Sequence, residues 1–268
     1  MTFLFLKRKL HTYINIKKII DSHKLVNEHK PFNSYARVYH HHLMKTGGTS
    51  LNHMFLNLSS TNNENLYNKL MASSDLRIIN NRWVFSAWNQ SVIRSGLFHY
   101  AWSHRPFDKL HMPEKTFIFS CFRDPQERIF SRYNHLKKEY NSTNPRKDIN
   151  KEYQLLGNCF EDYLKNIPKQ EICHQLYMFS TKLDLNEALA RLFILNYIVT
   201  LNTFESDIDN LNSILNINLH PIHIRRSNNK ENNLSQTSIN CIKNHLQSEN
   251  DFFKYVIELK QLINDLSK

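Results

Sequence analysis

With 268 residues, 41% of them hydrophobic and 12% aromatic, the chain has enough apolar material for a packed core. That excludes wholesale disorder and suits one α/β domain with small elaborations. The formal charge of +11 favours anionic partners (nucleotides, nucleic acid or acidic glycans) without choosing among them. The four cysteines, Cys121, Cys159, Cys173 and Cys241, stand at no CxxC or zinc-ligand spacing, so a reducing compartment is the easier reading.

Residues 1–34 are basic and weakly patterned, and read as an arm or helix appended to a domain of residues 35–268. Met1 to Leu6 is too short an apolar run to span a bilayer, and Lys7, Arg8 and Lys9 follow it rather than precede it. That is the wrong order for a secretory signal, and no later stretch approaches about 18 uninterrupted apolar residues. A soluble, cytoplasmic protein without a membrane span is therefore expected. Ala36 to His42 reads as a strand, and Leu51, Met54, Phe55 and Leu58 recur at helical spacing. Between them lies Lys45-Thr46-Gly47-Gly48-Thr49-Ser50, with two of the four glycines side by side. Strand, Gly-rich turn and helix start together present backbone N–H groups to an anion. His40 and His41 are assigned to the strand.

A polar loop, Ser59 to Asn65, follows, then a short strand at Trp83-Val84-Phe85, and Gly96 to Pro106 leads into another loop. Thr116 to Phe122 has the unbroken apolar character of a central parallel strand. It ends in Arg123-Asp124-Pro125, where Asp124 can cap the next helix and Pro125 fits its first turn. That helix carries Ile129, Phe130, Tyr133 and Leu136 on one face, with Arg128, Ser131 and His135 on a neighbouring stripe. After a low-complexity loop, Asn141 to Lys151, the chain becomes mainly helical. Helices are predicted over Phe160–Ile167 and Leu185–Phe193, and a strand over Tyr197–Leu201. A further helix runs through Phe204, Ile208, Leu211 and Leu215, and two terminal ones cover Ser235–Leu246 and Asp251–Leu266. The loop between them, Asn216 to Asn233, holds Arg225 and Arg226. Two strand–loop–helix units, each with a cation in its loop, point to a doubly wound, mainly parallel sheet with helices on both faces and a helical C-terminal part. Two anion sites at the carboxyl ends of two strands imply a ligand with two separated phosphate groups. Lys45 precedes the glycines, so the first loop is not a Walker A motif, which argues against a nucleotide kinase.

The segment His42-Leu43-Met44-Lys45-Thr46-Gly47-Gly48-Thr49-Ser50 resembles the H-I-P-K-T-G-G-T-S signature of carbohydrate sulfotransferases. Arg123-Asp124-Pro125-Gln126-Glu127-Arg128-Ile129-Phe130-Ser131-Arg132-Tyr133 resembles their second motif, R-D-P-x-x-R-x-x-S-x-Y. Order and spacing agree, and the resemblance extends over roughly residues 36 to 256, closest in motif style to uronyl 2-O- and chondroitin-type enzymes. Met44 departs from the family's usual proline. The resemblance implies a P-loop-like sulfotransferase fold and the donor 3′-phosphoadenosine-5′-phosphosulfate, with no metal. Lys45, Thr46, Gly47, Gly48, Thr49 and Ser50 would then hold the 5′-phosphosulfate, and Arg123 and Ser131 the 3′-phosphate. Lys45 would also stabilise the leaving group, and the acceptor would be a saccharide or other hydroxyl compound. The base is expected to be a histidine. His104, in Trp102-Ser103-His104-Arg105-Pro106, is the first candidate, and His99, in Phe98-His99-Tyr100, is the competitor. A polyanion- or nucleic-acid-binding protein using the positive field alone is the alternative from another class, although nucleic acid is not the expected partner. Nothing in the sequence specifies the acceptor or the oligomeric state.

Overall fold

The computed structural model describes residues 17–59, 64–72, 77–107, 111–143, 150–222 and 236–266. Its strands are Arg37–His41 (β1), Arg77–Asn80 (β2), Trp83–Ala87 (β3), Tyr100–Ser103 (β4), Thr116–Phe122 (β5) and Tyr197–Thr200 (β6). They form one sheet in the order β2-β3-β4-β1-β5-β6. Only the edge pair β2–β3 is antiparallel; the other pairings are parallel. The helices are residues 17–28 (α1), Gly48–Asn57 (α2), Glu64–Ala72 (α3), Gln90–Ser95 (α4), Pro125–Tyr140 (α5) and Asn150–Tyr153 (α6). They continue with Phe160–Asn166 (α7), Lys169–Ile172 (α8), His174–Phe179 (α9), Leu185–Leu192 (α10), Phe204–Leu215 (α11) and Gln236–Leu266 (α12).

Strand side chains alternate between two cores, as a sheet covered on both faces requires. Tyr39, Ala101, Ile118, Phe122 and Ile198 face Ile129, Tyr163, Leu176, Phe179 and Phe252, from α5, α7, α9 and α12. Val38, Trp102, Phe117, Phe119 and Val199 face Leu51, Phe55, Leu70, Ile208 and Leu211, from α2, α3 and α11. The mainly parallel α/β architecture thus follows the expectation, as do the predicted strands at β1, β3, β5 and β6.

Three features differ from the sequence reading. The segment assigned to a lead-in to a loop contains β4, which lies beside β1 with Tyr39 opposite Ala101 and His40 opposite Trp102. The two predicted terminal helices are one 31-residue helix. Gln247 to Asn250 is polar but has no Gly or Pro to stop a helix, and Glu249 within it is fully buried and ion-paired. Part of the stretch read as polar loop is α3, whose Leu66 and Leu70 are buried. Lys7, Arg8, Lys9, Arg225 and Arg226 lie outside the described residues. Among the described residues no helix is long and apolar enough to cross a membrane.

Candidate functional site

The carboxyl ends of the parallel strands gather one group of loops. After β1 the backbone turns through the left-handed region at Lys45 (φ 67°) and again at Gly47 (φ 89°) before α2 begins. Alternating left-handed residues ahead of a helix start turn successive N–H groups inward, the geometry of an anion nest. Gly47 is the residue before α2, which starts without a side-chain cap or an acidic residue in its first turn. Its leading N–H groups and the positive end of its dipole therefore face the loop without the usual cap. The two glycines answer different demands. At Gly47 the positive φ excludes most side chains, and an added Cβ would stand 2.7 Å from Cδ2 of Leu201. At Gly48 an added Cβ would stand 2.0 Å from Cδ2 of His42, so that glycine is there to admit the His42 ring.

The loop is braced from several sides. The Thr46 hydroxyl donates to the Leu43 carbonyl (3.0 Å), so its proton is directed away from a ligand. Cys121 of β5, itself buried, donates from Sγ to the Thr46 carbonyl (2.8 Å). The Met44 N–H donates to Nε2 of His174 in α9 (3.2 Å). Thr49 and Ser50 lie in the first turn of α2, both half-buried.

His104 follows β4 and comes to this loop. Its ring centroid lies 4.0 Å from that of His42 and 4.8 Å from the ring of Trp88. Trp88 follows β3 and itself holds a positive φ of 64°, a strained conformation for a bulky side chain. The His104 residue is half-buried, with Nδ1 enclosed and without a hydrogen-bond partner. Its pKa is pushed down to about 4, chiefly by burial, with the His42 backbone pulling it up and Arg132 pushing it further down. The ring is thus neutral near pH 7. The segment carrying it is tied to β1 by His41, whose Nε2 donates to the Arg105 carbonyl (3.1 Å).

His99 stands apart. It precedes β4, at the amino end of the sheet, and is fully buried. Its Nδ1 accepts from the Val84 N–H (2.9 Å) and its Nε2 donates to the His29 carbonyl (3.0 Å). Both ring nitrogens are thereby committed to joining β3, β4 and the segment after α1.

Arg123 follows β5, directly beside β1. Gln175 of α9 fixes its backbone from both sides, accepting from the Arg123 N–H and donating to its carbonyl, each at 2.9 Å. The guanidinium Nε lies 3.1 Å from Oε2 of Glu127, and Asp124 caps α5 by accepting from the Glu127 N–H (3.0 Å). Arg123 borders a cavity of about 410 Å³, together with Asp124, Thr200 to Thr203, Phe253 and Lys260. Ser131 does not line it; it is half-buried, two turns into α5. Lys260 sits between Asp207 (2.6 Å) and the hydroxyls of Thr200 and Thr203. Leu201 joins the cavity to the first loop, since it both lines the cavity and packs on Gly47.

The chain matches no protein-family model and no curated protein. Among the described residues no group of three or more His, Cys, Asp or Glu side chains is placed to hold a metal ion.

Sequence reasoning missed several contributors. Lys260 comes from a helix far along the chain, and His174 from a short helix without a motif. Asn52 is one polar position on an otherwise apolar helix face. Arg128, read as part of a polar stripe, is fully buried. It donates to the Glu171 and Ile172 carbonyls and lies 3.6 Å from Glu249. Glu249 in turn accepts from the Gln175 and Leu176 N–H groups. This buried pair clamps α5 and α12 to α9, the helix that positions both loops.

Proposed function

We propose that this protein is a sulfotransferase on a P-loop-like sheet, moving a sulfuryl group from 3′-phosphoadenosine-5′-phosphosulfate to a saccharide hydroxyl. The observation that carries the reading is the pairing of two cation-bearing strand–loop–helix units on adjacent parallel strands, β1 and β5. The cavity beside Arg123 adds to it, joined to the first loop through Leu201. Its volume of about 410 Å³ lies in the range of small-ligand sites. In this reading the nest from Lys45 to Ser50 holds the 5′-phosphosulfate. Arg123 faces the 3′-phosphate, and the nucleoside lies along the Leu201 side.

The acceptor oxygen forms a bond to sulfur as the bond from sulfur to the bridging oxygen of the 5′-phosphate breaks. Adenosine 3′,5′-bisphosphate leaves, and the acceptor proton passes to the His104 ring. Lys45 and the amides at the start of α2 stabilise charge developing on the bridging oxygen. What favours His104 over His99 as base is position: the former lies against the first loop, and the latter is at the opposite end of β4 with both nitrogens engaged. Calorimetry with adenosine 3′,5′-bisphosphate against ATP tests the donor, with selective binding of the bisphosphate expected. Equal affinity for both, or binding of neither, overturns the reading. In donor-dependent sulfation, His104→Ala is expected to lower turnover by roughly 10²-fold while leaving bisphosphate affinity nearly intact.

A further inference from the structure

His42 is almost fully buried, 5% exposed, yet one edge of its ring lies against the start of α2. A Cβ on Gly48 would stand 2.2 Å from His42 Nε2. The opposite edge is held by Asn52, itself fully buried in α2, whose Nδ2 lies 3.4 Å from His42 Nδ1. The Asn52 Oδ1 faces the Tyr100 hydroxyl at 2.7 Å and His40 Nδ1 at 2.9 Å.

Two observations fix which way this amide points. The 2.7 Å contact has the length of an O–H···O bond, whereas N–H···O bonds centre on about 2.9–3.0 Å. A reversed amide would donate to His40 Nδ1 and force the His40 proton onto Nε2, which is buried without a partner. An orphaned buried N–H is rarer than an unused acceptor. Asn52 therefore accepts from Tyr100 and His40 and donates to His42 Nδ1. Burial keeps the His42 ring neutral, and its single proton is left on Nε2, the nitrogen against Gly48. None of the hydrogen bonds that His42 makes among the described residues uses that atom. A bare lone pair at this place would repel an anion, whereas an N–H attracts one.

We propose that His42 is a ligand-binding residue whose Nε2–H donates to the phosphate or sulfate oxygen lodged at the start of α2, with Asn52 as the positioning residue that fixes the tautomer. The proposal rests on the anion-site reading of the first loop given above, and it assigns the second glycine and Asn52 a joint purpose. It gains from the fixed geometry: a preorganised donor costs no rearrangement when the anion arrives.

The test is a long-range ¹H–¹⁵N spectrum of the full-length protein with ¹⁵N-labelled histidine, recorded alone, with sodium sulfate, and with adenosine 3′,5′-bisphosphate. The expected result is an Nε2–H tautomer for His42 whose ε2 resonance moves on adding either anion. An Nδ1–H tautomer overturns the proposal, as does an ε2 resonance unmoved when the bisphosphate is bound. Response to sulfate without any binding of the bisphosphate keeps the proposal and removes the nucleotide reading; response to neither removes both. His42→Phe, if folded, is expected to weaken anion binding roughly 10- to 100-fold, the loss of one charge-assisted hydrogen bond. His42→Gln, which retains an N–H at similar reach, should recover part of it. Full affinity in folded His42→Phe also overturns the proposal.

Discussion

Acidification should unfold this protein well above the pH at which its carboxylates titrate. His40, His41 and His99 are fully buried, and burial is the first cause of the lowered pKa of each, to about 3, about 3 and about 4 respectively. An unfolded chain protonates histidine near pH 6.5. Between that value and the folded pKa the unfolded state binds more protons, so stability rises with pH and is lost as pH falls. Going from pH 7 to pH 5, each ring costs about 2 kcal/mol and the three together about 6 kcal/mol. That is comparable to the whole 5–15 kcal/mol stability of a typical domain. His42 and His174, also lowered by burial, act in the same direction. Glu249, raised by burial, offsets a fraction. Urea unfolding followed by tryptophan fluorescence at pH 7, 6 and 5 reads the change directly, since Trp83 and Trp102 are both buried. A fall in unfolding free energy of less than about 2 kcal/mol over this range would refute the assignment of these rings as buried and neutral.

Other consequences follow from packing around the two loops. Gly48→Ala should displace the His42 ring, cost about 1–3 kcal/mol from overpacking, and abolish measurable binding of adenosine 3′,5′-bisphosphate; thermal melts and calorimetry check the two effects separately. Glu249→Ala leaves Arg128 charged, buried and unpaired, so chemical denaturation should show a loss of about 3–5 kcal/mol. Adding Arg128→Met to that variant should recover much of the loss, since it removes the stranded charge.

The two strand–loop–helix units were legible because their signals are local. Glycine at the turn, Asp124 with Pro125 at the start of α5, and an unbroken β-favouring run in β5 each act within a few residues of chain. The same holds for β6 and α11. What escaped was decided by contacts across the fold. Residues 100–103 contain no alternating pattern that marks a strand, and they become one because β1 and β3 offer a two-sided slot for Tyr100, Ala101 and Trp102. Their placement separates the two candidate histidines. His99 and His104 are five residues apart, so an extended chain holds them roughly 17 Å from each other at about 3.3 Å per residue, at opposite ends of the sheet. Arg128 shows the same limit, because a helical stripe reveals which residues share a face but not what that face meets. By itself, then, the sequence determined the elements whose geometry is set within one or two turns of backbone, including both loops. Only the tertiary structure decided which side chains meet there. Sheet order and the burial of His42 against Gly48 depend on packing between segments distant in sequence.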